Sequence, residues 1–191
     1  MGISENEESR ELAEKTLSSE MIYDGKLLKV YKDRVRLPNG HESAREYIRH
    51  NGAVCIVPLT DDGKVIAERQ FRYPFHSVIT ELPAGKLDTP EEDPAAAAAR
   101  ELLEETGITA DTWIPIGALI PTCAYSTEVI HMYIARDLHF GERKLDEDEF
   151  LNVEKIPLEE FVTRILNGEI RDSKTQTAVL KTWALKQQGK L

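Results

Sequence analysis

The chain reads as an α/β protein, a mixed sheet between helices, with a small antiparallel strand region at its N-terminal end. Three observations predict this. Strand-like and helix-like patterns alternate along the sequence instead of segregating into halves. Two turn signals, Pro38-Asn39-Gly40 and Asp61-Asp62-Gly63, each separate a pair of strand-like runs. At 191 residues the chain can bury one sizeable core with a small appendage, and is too short for two large domains.

Taken in order, residues 1 to 20 are charged and lack strong periodicity, which predicts a frayed or loosely helical tail. Residues 26 to 37 alternate enough for a strand, and 42 to 50 can return beside it after the first turn. Residues 1 to 48 are therefore assigned to a tail and strand region, and 49 to 191 to the main domain. In the latter, 53 to 59 and 65 to 71 flank the second turn and predict a hairpin, and 78 to 82 is a further short strand. Later strands are expected at 114 to 120 and 129 to 135, and helices at 157 to 166 and 173 to 187, the last capped by Asp172 or Ser173.

Between these lies the stretch Gly85 to Ile108, GKLDTPEEDPAAAAARELLEETGI. Asp93 and Pro94 read as N-cap and first helical residue, the alanine run has high helix propensity, and Gly107 can adopt the left-handed conformation that ends a helix. The helix is expected over 94 to 106. At about 100° per residue, Glu101, Glu104 and Glu105 share one side, and Ala95, Ala96, Ala99, Leu102 and Leu103 are expected to pack on the other. Two readings stand for the acidic face: a solvated surface, or a cation site. Glu101 and Glu105 are like charges at i,i+4, which repel by a few tenths of a kcal/mol unless a cation intervenes. Hard divalent ions, Mg²⁺ in particular, take such oxygen ligands together with water and substrate phosphates.

Composition narrows the classes. There are 24 Lys and Arg against 34 Asp and Glu, a formal net charge of −10. That balance disfavours nonspecific nucleic-acid binding and anionic membrane surfaces, so neither is expected as a partner. No apolar run approaches eighteen residues and the start is polar, so a soluble, cytoplasmic protein is expected. Cys55 lies in an apolar run and reads as core, whereas Cys123 lies in a loop; the histidines form no metal or triad pattern.

Arg100-Glu101-Leu102-Leu103-Glu104-Glu105-Thr106-Gly107-Ile108 resembles the second half of the Nudix box at each of its fixed positions. Gly85 and Glu92 resemble the first half, with one extra residue between them; a loop absorbs such an insertion where a helix would rotate its acidic face. Glu81-Leu82-Pro83-Ala84-Gly85 and Gln70-Phe71-Arg72-Tyr73-Pro74 are similar to segments of the ADP-ribose pyrophosphatase branch. The similarity covers roughly residues 20 to 185. In the loop after the box, Cys123 and Ala124 stand where that branch commonly has proline and glycine.

The resemblance implies a Nudix-type α/β/α sandwich that hydrolyses a nucleoside diphosphate sugar, ADP-ribose to AMP and ribose 5-phosphate. It implies Mg²⁺, with Mn²⁺ as an alternative, held by Glu101 and Glu105, then Glu104, the Ala84 carbonyl and Glu92, with Arg100 bracing the carboxylates. Glu147, or second Glu149, in the acidic loop is the implied general base. Arg72, Glu128 and Arg45 are the implied substrate contacts, and Tyr73 or Tyr125 either stacks on the base or packs in the core. A homodimer through the N-terminal strands follows from the same analogy. Hydrolysis of another nucleotide, such as a GDP-sugar or NADH, and a noncatalytic nucleotide sensor stay open as alternatives.

Overall fold

A computed structural model describes residues 11–142 and 150–191. The described residues form two compact units, one comprising those up to His50 together with Thr122–Glu128, the other Asn51–Pro121 with Val129–Leu191.

In the first unit, strands β1 (Lys15–Asp24), β2 (Lys29–Arg36) and β3 (Glu42–Arg49) form an antiparallel sheet in that order. The turn at Pro38-Asn39-Gly40 is as expected, with Gly40 at φ 85° and its N–H donating to the Leu37 carbonyl. The tail prediction fails in part, because residues 15 to 20 are strand. Their polar sequence has little strand signal of its own; pairing with β2 supplies the order, with register shifts after Thr16 and Met21. The Thr122–Glu128 loop lies alongside β3: the Ile48 N–H donates to the Tyr125 carbonyl at 2.9 Å and the Thr127 N–H to the Ile48 carbonyl at 3.0 Å.

The second unit is built on β4 (Ala53–Pro58), in which every residue is buried. It pairs parallel to β9 (Ile130–Phe140) and antiparallel to β7 (Ala84–Lys86), and β8 (Ile108–Leu119) extends the sheet beyond β9. A second sheet joins β5 (Lys64–Arg72) to β6 (Ser77–Glu81) and β10 (Leu151–Pro157). Successive side chains of β4 point to opposite faces. Val54 and Ile56 meet Ala97, Ala98 and Leu102 of helix α1 (Pro94–Thr106). Cys55 and Val57 meet Phe161 of α2 (Leu158–Leu166) and Ala178 and Val179 of α3 (Ser173–Gln187). Helices thus cover both faces of a mixed sheet, the α/β/α arrangement expected. No helix among the described residues is long and apolar enough to cross a membrane.

Three expectations are corrected here. The Asp61-Asp62-Gly63 turn forms, with the Gly63 N–H donating to the Thr60 carbonyl, yet β4 and β5 do not continue as a hairpin. After the single Leu59–Val65 bridge they part into different sheets, because each finds longer partners elsewhere. Strands β8 and β9 run well beyond the predicted segments, since each extends as far as the other can pair with it. Strands β7 and β10 carry no clear periodicity in the sequence and form by pairing with β4 and β5.

The third correction concerns α1. Its limits, the Asp93 cap and Gly107 at φ 72° are as read, but the buried stripe is Ala97, Ala98, Leu102 and Glu105. Ala95, Ala96 and Ala99 are exposed, and Leu103 is 40% exposed. The helix is rotated from the expected orientation, so Glu105 lies on the packed side.

Candidate active site

Segment 81 to 86, from the end of β6 through β7, is held from both sides. The Ala84 N–H donates to Glu105 Oε2 at 3.0 Å, which explains how a carboxylate only 6% exposed is accommodated on the packed side of α1. At Gly85 a Cβ would collide with the Glu101 carboxyl group, so glycine is required for Glu101 to lie against the strand. From the other side, the Leu82 N–H donates to Thr175 Oγ1 of α3 at 2.9 Å.

Arg100 gathers the remaining acids. Its Nη1 donates to Glu101 Oε1 at 2.8 Å and to Glu104 Oε2 at 3.2 Å, and its Nη2 to Glu92 Oε1 at 3.3 Å and the Lys86 carbonyl at 3.4 Å. Burial pulls the guanidinium pKa down, but Glu101, Asp88 and Glu92 outweigh it and the net shift is upward. Arg100 is therefore a fixed positive charge. Glu92 also accepts from the Asp88 N–H at 2.6 Å, which closes the loop before the helix.

Among the described residues no three acidic, imidazole or thiol side chains converge on one point in a metal-binding cluster. The donor set nevertheless fits a hard divalent cation. Glu101, Glu104 and Glu105 offer only oxygens, and the bare Cα of Gly85 leaves room for the Glu101 carboxylate against the backbone. Glu104, its side chain 44% exposed, stands on the open flank.

Arg72 lies at the end of β5, its Nε 2.7 Å from Glu81 Oε1 and its Nη2 2.9 Å from Glu81 Oε2. That bidentate pair, led by the hydrogen bonds Arg72 donates to Glu81, raises the Arg72 pKa. Lys174 of α3 also donates to Glu81 Oε2. The sequence reading missed Glu81, Lys174 and Thr175 as site residues. Only Glu81 carried a signal, its place in the segment before Gly85; nothing local connects Lys174 to it across 93 positions.

Arg45 and Glu128 belong to the first compact unit. Arg45 pairs with Glu14 and donates to the Ala44 carbonyl at 2.9 Å. Glu128 lies 3.8 Å from His50 Nε2, and its N–H donates to Ser126 Oγ at 3.1 Å. Tyr73 and Tyr125 are 74% and 56% exposed, so neither is a core residue. Cys55 is in the core, where burial pushes its thiol up to about 12. Glu147 and Glu149 lie outside the described residues.

A strand clamped against a helix that carries an arginine and three glutamates defines the class. Residues 49–177 match the NUDIX domain and residues 14–48 match the nucleoside diphosphate sugar hydrolase N-terminal domain, and the chain belongs to the Nudix family. It is 42% identical to an ADP-ribose pyrophosphatase of Bacillus subtilis over 89% of this chain and 92% of that protein. It is 41% identical to a methanol dehydrogenase activator of Bacillus methanolicus, over 87% of this chain and 90% of that one. A crystal structure of an ADP compounds hydrolase superposes with a TM-score of 0.82 at 26% identity, covering 93% of this chain and 97% of that one.

Proposed function

We propose that this Nudix protein is a divalent-metal-dependent hydrolase of nucleoside diphosphate sugars that converts ADP-ribose and water to AMP and ribose 5-phosphate. The observation that carries the reading is the clamp of Glu101 and Glu105 onto the Ala84–Lys86 strand, which holds two carboxylates against one backbone segment, a donor set suited to a hard cation. The similarity to the Bacillus subtilis enzyme along most of both chains supports ADP-ribose as substrate.

Glu101 and Glu105, then Glu104, the Ala84 carbonyl and Glu92, would hold the metal, Mg²⁺ in the first instance and Mn²⁺ as the alternative. When bound, such an ion neutralises developing phosphate charge and lowers the pKa of water. Arg100 keeps Glu101 and Glu104 from repelling each other, and Glu92 steadies the loop. Arg72 grips the diphosphate with the N–H groups that Glu81 leaves unused, a task suited to a planar guanidinium. Glu147, with Glu149 as second choice, takes the proton of the attacking water. Arg45 and Glu128 are the further substrate contacts that the family resemblance implies.

The cytoplasm is the assigned compartment. A homodimer built through residues 1 to 48 is the proposed assembly, and the exposed Met21, Ile22, Tyr23, Leu27 and Leu28 of that unit support it. A monomeric mass in solution removes that part. The function is tested by incubating the protein with Mg²⁺ and ADP-ribose, GDP-mannose, NADH or other dinucleotides and analysing products, with a chelator control. AMP and ribose 5-phosphate from ADP-ribose as best substrate, abolished by chelator, is expected. Faster turnover of another nucleotide moves the specificity, as Cys123 and Ala124 would allow, and tight binding without turnover replaces the enzyme by a sensor.

A further inference from the structure

We propose that Lys174 is a positioning residue for substrate, acting through Glu81 to set the direction and availability of the Arg72 guanidinium. This deepens the hydrolase reading and rests on it, because Arg72 is assigned there to the diphosphate.

The argument begins with Glu81, whose side chain is 4% exposed and whose two oxygens are both engaged. Oε1 accepts from Arg72 Nε at 2.7 Å; Oε2 accepts from Arg72 Nη2 at 2.9 Å and also from Lys174 Nζ. Lys174, its side chain 13% exposed, reaches Asp172 Oδ2 at 3.1 Å as well. Charges alternate along the row Asp172, Lys174, Glu81, Arg72, and exposure rises sharply only at the arginine, 41% exposed. The row has an anchored end and a presented end.

Two of the five guanidinium N–H groups are spent on Glu81, which fixes the plane of the fork. Among the described residues no other group takes the remaining three, which leaves them for a ligand oxygen. A buried carboxylate with Arg72 as its sole cation would hold the arginine inward and cancel most of its charge. With Lys174 meeting part of that demand, the arginine keeps net positive charge for a phosphate.

The lysine is not needed for the cap or for the contact between α3 and the strand. Asp172 Oδ2 accepts from the Thr175 N–H at 3.0 Å and from Thr175 Oγ1 at 2.6 Å, and Thr175 Oγ1 accepts in turn from the Leu82 N–H at 2.9 Å. The side-chain cap and the hydrogen bond to the Leu82 N–H are thus made by Asp172 and Thr175. Lys174 faces Glu81 and Asp172, and through Glu81 it meets the arginine.

The test is steady-state kinetics on ADP-ribose with Mg²⁺ for Lys174→Met, Lys174→Arg, Arg72→Gln and the Lys174→Met/Arg72→Gln double variant, each checked by thermal melting. Lys174→Met is expected to raise KM about tenfold with kcat within about twofold, and Lys174→Arg to restore most of the loss, the scale of coupling inside one ion-pair network. Arg72→Gln should do much less harm in the Lys174→Met background than in wild type. Should Lys174→Met melt below the assay temperature, Lys174→Gln keeps a donor to Glu81 without the charge and is expected to raise KM severalfold. Unchanged KM in a folded variant, or additive effects in the double variant, overturns the lysine's role while wild-type turnover leaves the hydrolase intact. Wild-type protein that turns over no nucleotide sugar overturns both.

Discussion

Helices α1 and α3 approach the same short segment and hold it by opposite means. Helix α1 brings carboxylates, with Glu105 accepting from the Ala84 N–H and Glu101 lying against Gly85. Helix α3 brings an ammonium and a hydroxyl, with Lys174 on Glu81 and Thr175 on the Leu82 N–H. Both begin at an aspartate cap, but among the described residues the Asp93 side chain accepts from the Ala95 N–H at 3.2 Å alone, whereas the Asp172 side chain is tied to Thr175 and Lys174. The difference teaches that the acidic helix is half of the clamp, and that the C-terminal helix holds the segment before Gly85 as well as packing in the core.

The largest effect is expected at the acidic side. Glu105→Gln keeps an acceptor for the Ala84 N–H and so spares the fold, but removes a charge; kcat should fall by about two to three orders of magnitude, the scale of losing one preorganised electrostatic contact. Near-normal turnover in that variant, at unchanged melting temperature, would sink the metal assignment. Gly85→Ala comes next. Its methyl group displaces the Glu101 carboxylate, and a shift of about 1 Å is enough for roughly a hundredfold loss of kcat/KM; a tolerated alanine would mean that Glu101 need not lie on the strand.

The caps sharpen the comparison through stability. Asp172→Ala should cost about 2 kcal/mol and Asp93→Ala about 1 kcal/mol, the upper and middle of the range for caps. Denaturant titration ranks them, and equal losses would show that the extra partners of Asp172 add nothing.

The smallest effect lies away from both helices. His139 Nε2 is 2.8 Å from Asp111 Oδ2, and that hydrogen bond raises the imidazole pKa above its ordinary value near 6.5. Raised in the folded state, the group contributes stability fully present below about pH 6.5 and lost as pH rises through the folded value. The pair is exposed, so the contribution is small. An NMR titration of His139 should show the raised value, which Asp111→Asn returns to the ordinary range.

What was legible in the sequence differs between these two helices. Helix α1 could be read to the residue because its signals are local: an aspartate before a proline, an alanine run, a glycine stop. Its rotation could not, since Ala95, Ala96 and Ala99 resemble Ala97 and Ala98 until a sheet is placed beneath them. The same holds at Asp61-Asp62-Gly63, where a good turn was visible but the parting of β4 and β5 was not. For Lys174 the adjoining Asp172 and Ser173 advertised a helix start, not a partner ninety-three positions upstream.

By itself the sequence determined the turns, the caps, the helical register of Arg100, Glu101, Glu104 and Glu105, and the alternation of elements that makes an α/β fold. Each depends on backbone preferences and spacings within a few residues, where chemistry and geometry are fixed together. Only the tertiary structure decided that β1 is a strand, that Glu105 lies on the buried side of its helix, and that Arg72, Glu81, Lys174 and Asp172 form one row of charge. Those facts depend on which distant segments share a sheet or a face, and on the need of every buried charge for a partner wherever in the chain that partner lies.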